Sequence, residues 1–182
     1  MAHRPLTGVL LVGGASRRFG TPKALALADG ETLAERGRRV LAEACDEVLV
    51  VGKAGELPFE VLDDASDVRA PIAGVVAGLR AAAHDVAVFL PVDCPRVTPA
   101  LLCRLGDACA DAAVPQTGPL PGAWAKSALP LLERRLAEGP LALYRTYDEL
   151  DVVELEVDPS LVADVDTQAD LQRLLARPVE RS

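Results

Sequence analysis

Three basic side chains fall within one short glycine-rich stretch near the start of the sequence. An apolar run, Val9-Leu10-Leu11-Val12, breaks into Gly13-Gly14-Ala15-Ser16-Arg17-Arg18-Phe19-Gly20, and Lys23 follows shortly after. Glycines let the backbone turn sharply and present its N–H groups to an anion, while Arg17, Arg18 and Lys23 concentrate positive charge at one strand end. The combination suits a phosphate grip and points to nucleotide chemistry. A tight strand-to-helix turn with solvated arginines is the plainer alternative, but it leaves the clustered charge uncompensated. Spacing excludes the two commonest phosphate loops. A Walker A loop needs its lysine directly after the last glycine, where Thr21-Pro22 intervene. A dinucleotide fingerprint needs Gly-x-Gly-x-x-Gly, which Gly13, Gly14 and Gly20 do not form.

Carboxylates form the second group. Asp93 ends the apolar run from Val86 to Val92 and precedes Cys94-Pro95. A carboxylate at the end of a buried strand can hold Mg²⁺ against phosphate oxygens, or it can cap the turn backbone. Asp63 and Asp64 lie in a polar turn with Asp67 nearby, and Asp164 and Asp166 precede Thr167. Asp166 is either a further carboxylate for a metal or, like Thr167, a helix cap.

The pattern Leu-x-Gly-Gly-x-Ser-x-Arg-x-Gly-x-x-Lys, from Leu11 to Lys23, resembles the signature of the nucleotidyltransferases that include the molybdenum cofactor guanylyltransferases. Three further segments agree in order and spacing. Ala70-Pro71-Ile72-Ala73-Gly74 is close to the family's Gly-Pro-Leu-Ala-Gly, Asp93-Cys94-Pro95 to its Asp-x-Pro, and Asp164 to Leu171 to its Asn-x-Asn-Thr-Pro-Glu-Asp-Leu. The resemblance implies a single-domain, three-layer Rossmann-like α/β fold with a mostly parallel sheet, spanning residues 1–176. It implies Mg²⁺-dependent transfer of GMP from GTP to the phosphate of molybdopterin. Nucleotide binding then falls to Leu11, Val12, Gly13, Gly14, Ser16, Arg17, Lys23, Asp64 and Asp93, catalysis to Arg18, Lys23 and Asp93, and the metal to Asp93 and Asp166. Asp64 would accept from a guanine edge or a ribose hydroxyl. Leu-Val-Gly-Gly is nearer the guanylyl pattern Leu-Ala-Gly-Gly than the cytidylyl Thr-Ala-Ala-Gly, so GTP is favoured over CTP. The alternatives are a cytidylyltransferase on molybdopterin, a guanylyltransferase for another phosphorylated small molecule, and a noncatalytic nucleotide-binding module. Proteins that insert molybdenum or receive the finished cofactor are implied partners.

The sequence departs from the family pattern at several positions. Phe19 stands where methionine is common, Pro22 where aspartate precedes the lysine, and Gly52 where asparagine reaches the nucleotide, so a side-chain contact should be lost there. The two aspartates at 164 and 166 replace asparagines. The interval from Gly20 to Lys23 is also short.

Composition fits a nucleotide enzyme of this size. The chain has 182 residues, half of them hydrophobic but only 3% aromatic, so one core must be packed from Ala, Leu and Val. A net charge of −8 argues against general nucleic-acid binding. No membrane-spanning run or secretory leader is expected, which places the protein in the cytoplasm. Cys45, Cys94, Cys103 and Cys109 lack metal-ligand spacing and read as small buried hydrophobes, and His84 reads as a helix-end dipole partner.

Periodicity alternates strands and helices. Strands are expected at Val9–Val12, Glu47–Val51, Glu60–Leu62, Val86–Val92, Ala112–Pro115 and Asp151–Val157. Helices are expected from Thr32 to Ala44, Ile72 to Ala83, Thr98 to Ala110, Leu129 to Ala137, Leu141 to Tyr147 and Gln168 to Leu175. Such alternation implies parallel crossovers and a sheet covered on both faces, with ligands beyond the carboxyl ends of its strands. Pro115, Pro119, Pro121 and Gly122 suggest an active-site loop, with Pro121, Gly122 and Trp124 near the acceptor, although Trp124 reads equally as a core or lid residue, and residues 177–182 a frayed tail.

Overall fold

The computed structural model describes residues 4–13, 22–53, 57–64, 70–139 and 142–176. In chain order the strands and helices are β1 (Leu6–Leu11), β2 (Leu27–Ala28), β3 (Glu31–Thr32), α1 (Leu33–Ala44), β4 (Glu47–Val51), α2 (Pro71–Ala81), β5 (Val86–Pro91), α3 (Pro99–Ala108), β6 (Ala112–Pro115), β7 (Gly122–Ala125), α4 (Leu129–Glu138), β8 (Val152–Leu155) and α5 (Gln168–Leu175). Six strands form one sheet in the order β4-β1-β5-β7-β6-β8, and β2 and β3 form a separate hairpin. All pairings in the large sheet are parallel except those of β7 with β5 and β6. This is the mostly parallel, single-domain α/β fold that the sequence implied. The expected tail, residues 177–182, lies outside the described residues.

Period-two alternation along the buried strands divides the interior into two cores. Leu6 and Leu10 of β1 and Val86, Val88 and Leu90 of β5 face one side, where α1 and α3 contribute Leu41, Leu102 and Leu105. Val9, Leu11, Ala87 and Phe89 face the other, against Ile72, Val76 and Leu79 of α2 and Leu132 of α4. Helices therefore cover both faces, which lets the central strands be apolar throughout. The near absence of aromatics is matched by close approach: a Cβ added at Gly78 of α2 would lie 2.6 Å from Cε1 of Phe89 and 3.0 Å from Cγ1 of Val9.

Local chemistry sets the helix starts. The Thr32 hydroxyl accepts from the Glu35 N–H while the Glu35 carboxylate accepts from the Thr32 N–H, the reciprocal capping box expected from the sequence. Thr98 caps α3, with Pro99 as its first residue, and Thr167 caps α5 by accepting from the Asp170 N–H.

Three expectations are corrected. The proline-rich stretch does not stay a loop: Gly122–Ala125 forms β7, antiparallel in the heart of the sheet, and Trp124 is fully buried between the layers. Of the roles the sequence left open for Trp124, the core one holds. Four residues directly after Pro119-Leu120-Pro121 are too short to display a strand period, which hid this strand. The expected strand at Glu60–Leu62 reduces to one parallel bridge between Leu62 and Val51. Leu143–Glu149 winds as a 3₁₀ helix rather than an α-helix. The hairpin of β2 and β3 was also missed, although Asp29 and Gly30 both take positive φ, 53° and 89°, as a two-residue Asp-Gly turn requires. Among the described residues no helix is long and apolar enough to cross a membrane.

His84 bonds to the sheet rather than to a helix end. Its Nδ1 lies 3.0 Å from the Thr7 hydroxyl, which donates to Oε2 of Glu47 at 2.7 Å. That same Glu47 oxygen accepts from the Ala83 N–H at 2.9 Å. Burial pushes the Glu47 carboxyl up, but the hydrogen bonds from Ala83 and Thr7 outweigh it and lower its pKa below the ordinary 4.5. A depressed carboxylate contributes stability that is present above pH 4.5 and drains as pH falls through the lower folded value. Glu47→Gln should therefore flatten the acid limb of a stability-against-pH curve measured by urea unfolding. Gly78→Val should cost about 1–3 kcal/mol by overpacking against Phe89, read as a lower urea midpoint at unchanged slope.

Candidate functional site

Parallel pairing brings the ends of β1, β4 and β5 to one edge. Leu11 of β1 is level with Val51 of β4 and Pro91 of β5. Just beyond, the Val12 N–H donates to the Val51 carbonyl at 2.9 Å, and the Val92 N–H donates to the Leu11 carbonyl at 3.0 Å. Three chain segments thus leave the sheet side by side: Val12-Gly13, Gly52-Lys53 and Val92-Asp93.

The first two are in backbone contact. Gly52 sits so close to the start of the glycine loop that an added Cβ would lie 2.9 Å from the Gly13 nitrogen and 3.1 Å from the Val12 carbonyl carbon. The Gly52 N–H also donates to the Leu62 carbonyl at 3.0 Å, and the Leu62 N–H donates to Val50 at 2.8 Å. This stitching brings Asp63 and Asp64 to Lys53, whose ammonium lies 3.0 Å from Oδ1 of Asp63 and 2.7 Å from Oδ1 of Asp64. Position 52 therefore acts through backbone packing, where the sequence suggested only a missing side-chain contact.

Lys23 joins the third segment to a fourth. Following Pro22, it opens a 3₁₀ turn, Lys23–Leu25, and its Nζ donates to Oδ2 of Asp93 at 3.1 Å and to Oδ1 of Asp166 at 3.0 Å. Asp166 is brought there because the Val165 N–H donates to the Asp93 carbonyl at 2.9 Å. Thr167, not Asp166, caps α5, which leaves the Asp166 carboxylate to face the lysine. The partners of Lys23 lie 70 and 143 residues away in sequence, so three of the four family-like segments converge on one ammonium. Lys23 and Asp93 are largely covered, with side chains 17% and 27% exposed, and Asp166 is open to solvent at 62%. Partial burial pulls the Lys23 pKa down, but the hydrogen bonds to Asp166 and Asp93 outweigh it and leave the pKa raised. The group is a firmly held cation.

The other sequence candidates divide cleanly. Leu11 is buried at the end of β1, Val12 is half-buried and Gly13 is exposed at the mouth of the edge. Asp64 is largely covered beside Lys53. Gly14, Ser16, Arg17 and Arg18, and Asp67, lie outside the described residues. Lys53 was missed; its signal is a lysine directly after the carboxyl end of a predicted strand. Cys94 is buried next to Asp93, where burial pushes its thiol far up and leaves it unsuited to nucleophilic work. His84 precedes β5, at the opposite edge of the sheet from Asp93.

The donor set was tested against a divalent cation. Two carboxylate oxygens already converge on one positive charge, and hard oxygen donors are what Mg²⁺ takes. Among the described residues no group of three or more His, Cys, Asp or Glu side chains could hold a metal. What Asp93 and Asp166 offer is two hard oxygen donors held on one cation, the donor type that Mg²⁺ takes.

Known proteins share both sequence and fold. Residues 8–151 match the family model described as MobA-like NTP transferase domain. A probable molybdenum cofactor guanylyltransferase of Deinococcus radiodurans is 36% identical over 188 residues, covering 97% of each chain. A molybdenum cofactor guanylyltransferase of Desulfosudis oleivorans is 28% identical, covering 92% of this chain and 93% of its own. The crystal structure of molybdopterin-guanine dinucleotide biosynthesis protein A from Archaeoglobus fulgidus superimposes with a TM-score of 0.78 at 26% identity, covering 92% of this chain and 96% of that one.

Gly52→Ala tests the backbone contact that seats the glycine loop. Because two of the three nearest obstructing atoms are main chain, with Cγ2 of Val12 the third, the substitution should cost about 1–3 kcal/mol in urea unfolding and shift the Gly13 amide resonance. An unchanged midpoint and an unmoved Gly13 signal would remove the contact from the account.

Proposed function

The chain belongs to the MobA-like NTP transferase family and is a nucleotidyltransferase, and on that premise we propose that it transfers GMP from GTP to the terminal phosphate of molybdopterin, releasing pyrophosphate. The observation that carries the reading is the placement of Lys23, Asp93 and Asp166 at the sheet edge from which the glycine loop departs. The names of the relatives and the Leu11-Val12-Gly13-Gly14 pattern support GTP as donor.

Nucleotidyl transfer needs in-line attack on the α-phosphate, so the protein's work is to position groups and neutralise charge. Backbone N–H groups at Gly13 and Gly14 hold the nucleotide, and Leu11 and Val12 wall the base. Ser16 and Arg17 extend the grip along the phosphates. Asp64, braced by Lys53, accepts from the base edge or a ribose hydroxyl. Lys23 and Arg18 take the negative charge of the triphosphate and of the departing pyrophosphate. Asp93 and Asp166 would hold Mg²⁺, which supplies further charge neutralisation at the phosphate oxygens when bound. The acceptor phosphate is already largely ionised at neutral pH and attacks without a dedicated general base. That agrees with the position of His84 at the far edge of the sheet. Proteins that insert molybdenum or receive the product are the partners this role requires.

The test is pyrophosphate release from GTP and from CTP, under anaerobic conditions with Mg²⁺, with and without molybdopterin. GTP turnover that depends on molybdopterin is expected. CTP preference would move the chain to cytidylyl transfer, and silence with both nucleotides would favour another acceptor or a noncatalytic nucleotide-binding role. Lys23→Ala and Asp93→Asn should each lower turnover by about 10²–10³-fold while leaving the protein folded by circular dichroism. Near-normal turnover in either variant would remove that residue from the mechanism.

A further inference from the structure

The metal reading gives Asp93 and Asp166 one task, yet here both carboxylates are engaged by Lys23. We propose that the Lys23 ammonium is a built-in stand-in for the divalent cation, held between Asp93 and Asp166 until a triphosphate draws it away, so that metal and nucleotide load together rather than metal first. The inference rests on the metal-binding part of the functional reading and is independent of which nucleotide or acceptor is used.

Geometry and charge support it. Two carboxylates brought to one point without a cation repel, and the ammonium at 3.1 and 3.0 Å offsets that repulsion. The carboxylates are tied together by main chain through the Val165 N–H and the Asp93 carbonyl, so the gap between them persists whichever cation fills it. Of the three side chains, that of Lys23 has the longest reach. It hangs from a short 3₁₀ turn on a flexible four-carbon stem, and it follows the loop that carries Arg17 and Arg18. A triphosphate seated on that loop offers the ammonium a stronger anionic partner than Asp166, which is 62% exposed and screened by solvent. As Lys23 swings to the phosphates it hands two carboxylate oxygens to the incoming cation. Asp166 is what makes the stand-in effective: an asparagine there would leave a single carboxylate and a weaker hold on the ammonium.

The experiment is titration of the nucleotide-free protein with Mn²⁺ alone, free Mn²⁺ being read by its electron paramagnetic resonance signal. Lys23→Met should bind Mn²⁺ at least about tenfold more tightly than the natural protein, because the competing ammonium is gone. Adding Asp166→Asn to Lys23→Met should erase most of that gain. Equal or weaker binding by Lys23→Met would overturn the proposal, and a gain that survives Asp166→Asn would overturn the part assigned to Asp166. If Lys23→Met does not fold, the natural protein decides. The Lys23 ε-methylene resonance should leave its nucleotide-free position when a nonhydrolysable GTP analogue is added with Mg²⁺, and it should stay in place with Mg²⁺ alone. Release by Mg²⁺ alone would contradict joint loading. None of these readings requires turnover, so they stand apart from the test of donor and acceptor.

Discussion

Parallel pairing of β1 with a neighbour on each side is the constraint on which the rest of this molecule depends. All six residues of β1 are buried, and its backbone is engaged by β4 on one edge and β5 on the other. A strand placed this way can have no polar face, so chemistry is confined to where it ends. Register then decides what meets there. Because Leu11 is level with both Val51 and Pro91, the glycine loop, the Gly52-Lys53 segment and Asp93 all leave the sheet at the same height. A slip of one residue on either side would exchange the two cores and separate these groups.

Packing and electrostatics act on this edge in different ways. On one side the contact is main chain against main chain, since Gly52 lies where no side chain fits beside Gly13. On the other it is ionic, through Lys23, Asp93 and Asp166. The first kind of contact is rigid and the second exchangeable. A phosphate site has use for both: a fixed backbone to define the pocket, and a cation that can change partners when a more highly charged anion arrives. Partly covered ion pairs add little net stability once desolvation is counted, which accords with the binding role proposed for this cluster.

Much of this was legible in the sequence. The apolar run ending in Gly13-Gly14, the Asp after Val86–Val92 and the Asp166-Thr167 pair before the last helix identified three of the segments that converge, because each pairs a secondary-structure signal with a chemical one. The alternation of strands and helices gave the fold class. What escaped were features carried by tertiary contact alone. β7 is four residues long and directly follows two prolines, so the sequence left Trp124 open between loop and core until the sheet closed around it. Gly52 looked like a lost side chain because its neighbour across the sheet, Gly13, is invisible in a local window. Lys53 belongs to the same class, as its aspartate partners come from beyond the strand that carries it. The division of labour between Asp166 and Thr167 needed the cap geometry of α5 to be resolved.

The central claim is that this edge directs attack to the α-phosphate of a nucleotide. The most direct measurement follows label from GTP carrying radioactive phosphorus at either the α or the γ position, with molybdopterin and Mg²⁺ present. The account predicts that α label appears in the molybdopterin product while γ label leaves wholly as pyrophosphate. Transfer of γ label to the acceptor, or appearance of inorganic phosphate in place of pyrophosphate, would contradict it.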